Sequence, residues 1–249
     1  MKFSKNELTA ALKKAFEGIG FGVGDYEDAA AMVTWLETHG LQGLVQLHNA
    51  LPHLMERPHP QIGVIQDDEN LSILDARGGS TLICGSQAVD LAYAKAHNVG
   101  FGAVQLINCH NRKMIIERLV NTARRGMACV AYWHAHDSSA EYSVVSIEAH
   151  AEHPTYLEYA AAGSEVETEQ SMIILCGSRL AVLQEYVADV LPASSGNLVS
   201  VTPEGMKSSR QCALEHGIDM DVTLSNLLGT LIKNVLVEAT ETSRAGAGE

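Results

Sequence analysis

Residues 99–133 read VGFGAVQLINCHNRKMIIERLVNTARRGMACVAYW, and the changes of pattern within that stretch decide the fold class. Val99 to Ile107 is a long apolar run, which predicts a strand buried on both faces. Ile115, Ile116, Leu119, Val120 and Ala123 then recur at helical spacing, and Met127 to Trp133 is apolar again. Strand, helix and strand in this order predict a βαβ unit and a parallel sheet, because parallel neighbours need a crossover long enough to hold a helix.

On the N-terminal side, Leu71 to Leu74 and Ile62 to Ile65 are short apolar runs that read as strands, followed by Gly78, Gly79 and a predicted helix from Ser86 to His97. The first sixty residues are patterned as helices. Ser4 and Glu7 form a capping box ahead of Leu8, Leu12, Ala15, Phe16 and Ile19, which predicts a helix over 4–19. Gly18, Gly20, Gly22 and Gly24 read as a turn. Because they follow a helix and not a strand, they do not form a dinucleotide loop. Asp25 and Asp28 open a second helix that Gly40 ends, and Leu44, Leu47, Leu51 and Leu54 share a face of a third over Gly43 to Glu56, closed by Pro58 and Pro60.

On the C-terminal side, Tyr142 to Ile147 and Met172 to Cys176 read as strands separated by the polar, acidic stretch Glu148 to Gln170. Pro203 to His216 and Asp221 to Glu238 read as closing helices. The expected architecture is α/β: an N-terminal helical cluster (1–60), then a mixed, partly parallel sheet with flanking helices (61–249), together forming one compact unit.

The 249 residues, 46% hydrophobic and 19% charged, suffice for a sizeable core and exclude a disordered or fibrous chain. No uninterrupted apolar run reaches the ~18 residues of a membrane span, and the start of the chain lacks a secretory apolar stretch, so a cytoplasmic protein is expected. A net charge of −13 without a basic stripe argues against nucleic acid as a partner. Cys84, Cys109, Cys129, Cys176 and Cys212 are odd in number and widely spaced, which predicts buried free thiols.

The order over residues 71–133 resembles the middle of the malate/L-lactate/sulfolactate dehydrogenase family, which uses NAD(P) on a fold without the usual dinucleotide fingerprint, and the N-terminal helices fit that family's opening. The family carries the motif Leu-Arg-Gly-x-Asp-Ser-His-Gly-apolar-x-Arg-Leu, whose histidine serves as acid/base and whose arginine helps bind the substrate carboxylate. Leu36, Gly43, Leu44, Val45 and Leu47 align with it without a gap, which places Leu41 on the serine, Gln42 on the histidine and Gln46 on the arginine. Both ionisable groups are gone. A second block, Asn-Ser-Asn-His-Phe-Gly, falls on Leu106 to Asn111, with Asn108 kept and His110 one place late. The C-terminal stretch Glu238 to Gly248 and Trp35 to Gly40 more closely resemble an uncharacterised bacterial family of unknown function. The resemblance implies a homodimer, a small-molecule ligand and NAD(P) as the cofactor of any surviving activity.

Several residues are candidates for chemistry. His39 sits three positions, about one helical turn, before the place of the missing motif histidine and is placed to replace that acid/base; the competing reading is that His39 and Gly40 end the second helix. Gln42 and Gln46 are four apart and would orient a carbonyl or carboxylate through amide hydrogen bonds, without supplying a proton or a charge. Asn108 and His110 are candidates for substrate or anion binding, as are Ser243 and Arg244 ahead of Gly246 and Gly248. No metal centre is expected; the weak candidates are His134 and His136, with Asp137, His150 and His153 nearby.

Overall fold

The computed structural model describes residues 1–56, 60–134, 142–161, 170–191 and 194–235. It opens with a short strand β1 (Lys2–Phe3) and three helices, α1 (Lys5–Ile19), α2 (Val23–Thr38) and α3 (Gly43–Glu56). The capping box forms: Ser4 Oγ accepts from the Glu7 amide while Glu7 takes the Ser4 amide at 2.8 Å. Only Gly20 to Gly22 make the turn after α1, with Gly20 left-handed at φ +102°, whereas Gly18 and Gly24 lie inside helices. Between α2 and α3 the chain turns through Gly40 and Gln42, both at positive φ, and Glu37 Oε2 accepts the Leu44 amide at 2.9 Å. Gly43 is required there: a Cβ on it would meet the Val33 carbonyl oxygen at 2.3 Å, so its absence lets α3 close onto α2.

The remaining elements are β2 (Gly63–Asp67), β3 (Leu71–Asp75), α4 (Thr81–Val99), β4 (Phe101–Ile107), α5 (Ile116–Arg124) behind a 3-10 turn at Arg112–Ile115, β5 (Ala128–His134), β6 (Tyr142–Ile147), β7 (Thr155–Ala161), β8 (Met172–Gly177), α6 (Leu180–Val190), β9 (Ser194–Val201), α7 (Pro203–His216), β10 (Ile218–Asp219) and α8 (Val222–Lys233). Among the described residues, eight strands form one mixed sheet in the order β2-β3-β4-β8-β5-β6-β7-β9, and β1 pairs with β10.

Two expectations are corrected by this topology. β4 and β5, the strands flanking α5, are not neighbours: β8 runs between them antiparallel to both, so that Ile174 pairs with Val104 on one side and Ala131 on the other. The parallel βαβ unit lies one step earlier, as β3-α4-β4. The pattern of 99–133 reports strand, helix, strand; which strand fills the gap depends on long-range pairing, and the wholly apolar β8 takes the central place. The acidic stretch between β6 and β8 also contains a strand, β7, in which Tyr156 and Tyr159 are buried. The α4 helix begins at Thr81, five residues before its apolar periodicity becomes visible, because Ser80 caps it through the Leu82 amide.

The central strands are mainly apolar, which suits strands covered on both faces. Val104, Leu106, Cys129, Ala131, Ile174 and Cys176 join the core shared with the N-terminal helices and α4, while Ala103, Val130, Tyr132 and Leu175 pack with Leu183 and Val187 of α6 on the other side. Four of the cysteines are buried free thiols; Cys212, on α7, is exposed, contrary to the expectation for it. No helix among the described residues is long and apolar enough to cross a membrane.

Candidate functional site

The C-terminal end of α2 opens onto a cleft of about 320 Å³ that α1, α5, α7 and the β6–β7 connection also line. His39 caps α2 and is only 4% exposed. Its ring stacks on Trp35 with centroids 3.9 Å apart, and Nδ1 lies 2.6 Å from the Trp35 carbonyl oxygen and 3.1 Å from Thr38 Oγ1. A carbonyl oxygen can only accept, so Nδ1 carries the proton of the neutral ring and Nε2 is left as an acceptor. Burial pushes the His39 pKa down to about 4; the bond to Trp35 opposes this, and His153, Arg210 and Lys5 add to it.

His153 faces His39 with ring centroids 5.3 Å apart. Its proton affinity is also lowered, first by burial and then by Arg210, Lys207 and Arg124, against the pull of Glu152. Two nitrogens on the cleft wall, Trp35 Nε1 and His153 Nε2, are buried and have no hydrogen-bond partner among the described residues. Lys5, Arg124 and Arg210 bring three cations to the lining against Glu117 and Glu152. Glu117 is already held by Arg118 and, at 2.7 Å, by Asn121, and burial raises its pKa. Lys5 and Arg210 make no ion pair among the described residues. In a chain of net charge −13 this is a local excess of positive charge beside two neutral imidazoles, an arrangement suited to a small anion.

The other candidates lie elsewhere. Gln42 precedes α3 at φ +58° with its side chain exposed, and its carbonyl accepts the Gln46 amide at 3.0 Å; neither glutamine lines the cleft. Asn108 and His110 follow β4. Asn108 Nδ2 donates to Asp75 Oδ1 at 2.9 Å, and the His110 ring stacks on His53 at 5.4 Å. His134 ends β5 with its ring edge-on to Tyr142 at 5.1 Å, and its carbonyl accepts from Arg112 at 3.0 Å. His150 turns its ring toward Gly126, apart from His153 in the cleft. His136, Asp137, Ser243 and Arg244 lie outside the described residues, among which no group of three metal-ligating side chains occurs. Of the residues singled out from the sequence, His39 and His153 are brought together. Lys5, Arg124 and Arg210 were not recognised; they come from stretches far apart in the chain and share no local motif.

The mixed sheet with its N-terminal helices is an α/β fold of malate/lactate dehydrogenase type. The chain superposes on the malate dehydrogenase of Pyrococcus horikoshii OT3 with a TM-score of 0.68 at 12% identity, covering 96% of each chain. For the sulfolactate dehydrogenase of Methanocaldococcus jannaschii the TM-score is 0.68 at 13% identity, over 94% of this chain and 97% of that one. The delta1-piperideine-2-carboxylate reductase of Pseudomonas syringae pvar. tomato gives 0.59 at 10% identity, over 93% and 99%. In sequence, residues 3–96 match the model of a family described as Protein of unknown function (DUF3726), a span that includes His39 and ends within α4. No curated protein matches the chain in sequence.

Proposed function

We propose that this chain binds a small organic acid, as its anion, in the His39 cleft, on a dehydrogenase-type scaffold whose motif positions have lost their ionisable groups. The observation that carries this reading is the pairing of unpartnered buried nitrogens on Trp35 and His153 with the cations Lys5 and Arg210, which form no ion pair among the described residues. A buried indole N–H can only donate and normally finds an acceptor, and here an acid oxygen would supply one for Trp35. Gln42 and Gln46 stand where the resembled motif has its acid/base and its carboxylate-binding arginine, and neither can carry a proton or a full charge.

The test is thermal unfolding with acetate, malonate, malate and L-lactate in turn. A ligand at about a hundred times its dissociation constant stabilises by roughly 2.7 kcal/mol, and Lys5→Ala with Arg210→Ala should abolish the shift. Absence of a shift with every acid removes the reading.

A second reading is an active NAD(P)-dependent oxidoreductase on a keto or hydroxy acid. It is favoured by the likeness to dehydrogenase structures over nearly the whole chain. It predicts stabilisation by NADH or NADPH and turnover that disappears in His39→Ala. Binding of acids with no response to either nucleotide leaves a non-catalytic binding protein. By the same resemblance the chain forms a homodimer, which sedimentation would reveal.

A further inference from the structure

We propose that the cleft takes up its anion together with one proton, which is held on Nε2 of His39. The proposal rests on the anion-binding reading above and concerns how that site is regulated.

The His39 ring is fixed in one tautomer, because Nδ1 faces the Trp35 carbonyl at 2.6 Å and must donate to it. The stacking on Trp35, with planes 12° apart, opposes a ring flip that would exchange the two nitrogens. Nε2 therefore presents a lone pair. An anion oxygen approaching it meets lone pair with lone pair, which repels; once Nε2 is protonated the same contact becomes a charge-assisted hydrogen bond. The balance is simple: neutral His39, the anion and one proton from solvent give an imidazolium–anion pair, with no covalent bond formed or broken other than N–H. The anion supplies negative charge opposite the cations in excess there.

The charged groups around His39 set the direction. Lys5 on α1 and Arg210 on α7 oppose its protonation, as does any charge on His153; Arg124 on α5, Lys207 and Arg210 in turn act on His153. Glu152 in the β6–β7 connection favours protonation of His153, and Glu117 on α5 is taken up by Arg118 and Asn121. An anion that engages Lys5 and Arg210 screens the opposing cations and adds its own attraction, so binding and protonation favour each other reciprocally.

The test is calorimetric titration with sulfate in buffers of different ionisation enthalpy. Sulfate stays doubly ionised at mildly acidic pH, so any proton taken up resides on the protein. The expected result is uptake of about one proton per sulfate and an affinity that falls about tenfold per pH unit above mildly acidic pH. His39→Gln should bind sulfate without proton uptake, while Glu117→Gln should retain it. Because a substitution at a buried stacked ring can disturb folding, the wild type provides a second readout: the His39 Cε1–H resonance should move to its imidazolium position when sulfate is added. Sulfate or carboxylate binding with no uptake, or uptake that persists in His39→Gln, overturns the proposal and leaves the anion site standing. No binding of sulfate or of any carboxylate removes both.

Discussion

The loops after β3 and β4 and the cleft at the end of α2 both gather polar side chains from distant parts of the chain, and they satisfy those groups in opposite ways. At the strand ends the polar groups answer one another. Asp75 Oδ1 takes the Arg77 amide at 2.7 Å and Asn108 Nδ2 at 2.9 Å, Ser80 donates to Asn111 at 2.8 Å, Thr81 donates to the His110 carbonyl at 2.8 Å, and the Gly78 amide bonds the Asn108 carbonyl at 2.8 Å. Three non-glycine residues there, Arg77, Asn108 and Asn111, adopt positive φ, a conformation held by this network. In the cleft, by contrast, Trp35 Nε1 and His153 Nε2 are buried without partners, and Lys5 and Arg210 are unpaired among the described residues. A saturated network holds two loops in place; an unsaturated one among cations leaves hydrogen-bonding capacity for something else.

The largest expected effect separates the regions by pH. His39 has an ordinary value of 6.5 and a folded value of about 4, so charging it costs more in the folded chain than in the unfolded one. Its contribution to stability is complete above 6.5, is lost as the pH falls from 6.5 toward 4, and changes no further below that. The loss is about 3 kcal/mol at most, read from urea midpoints across this range. His39→Gln should flatten that part of the profile, and saturating sulfate should flatten it too. A profile identical in wild type and His39→Gln would show that the cleft holds its histidine without the penalty that burial predicts.

A smaller effect belongs to the strand ends. Asn108→Ala removes the bond to Asp75 and leaves alanine at φ +53°, which costs about 1 kcal/mol in stability at an exposed position. The same change should leave acid binding in the cleft unaltered. Asn108→Gly keeps the backbone conformation without strain and should recover part of the loss. If Asn108→Ala weakens acid binding as strongly as a cleft substitution does, the division between a structural loop pair and a ligand site is wrong.

Local patterns in the sequence anticipate α1, α3 and α7 closely, because each carries its own punctuation: Ser4 with Glu7, Gly43 with the leucine face, and Pro203 behind Thr202. The sheet order was not legible in the same way. Nothing near residues 99–133 announces that Met172–Gly177 will separate the two strands, since that choice is made by pairing across the chain. The helix α6 and the strand β9 were not anticipated, and β7 was hidden by the acidic character of the stretch around it. The candidate site divides along the same line. His39 was visible beside the degenerate motif, but its stacking on Trp35 and its meeting with His153 and Arg210 depend on α7 and the β6–β7 connection arriving at the end of α2. Gln42 and Gln46 have the spacing of a shared helix face, but the left-handed turn at Gln42 places it before α3.

The smallest expected change in stability is the most informative for function. Arg210 is exposed on α7 and its side chain makes no hydrogen bond or ion pair among the described residues, so Arg210→Ala should alter stability by no more than about 0.5 kcal/mol. Its charge nevertheless acts on both imidazoles, lowering the proton affinity of His39 and of His153. Removing it should therefore weaken a small acid anion by about tenfold or more, the loss of one charge-assisted contact, while making the empty cleft slightly easier to protonate. The two consequences are read separately, as the dissociation constant for malonate and as the midpoint of the His39 Cε1–H titration. Weakened binding with an upward move of that midpoint is what a cationic cleft predicts. Unchanged binding would mean that the anion, if it enters, is held by the indole and imidazole nitrogens alone, and the cleft would then select for hydrogen-bonding shape rather than for charge.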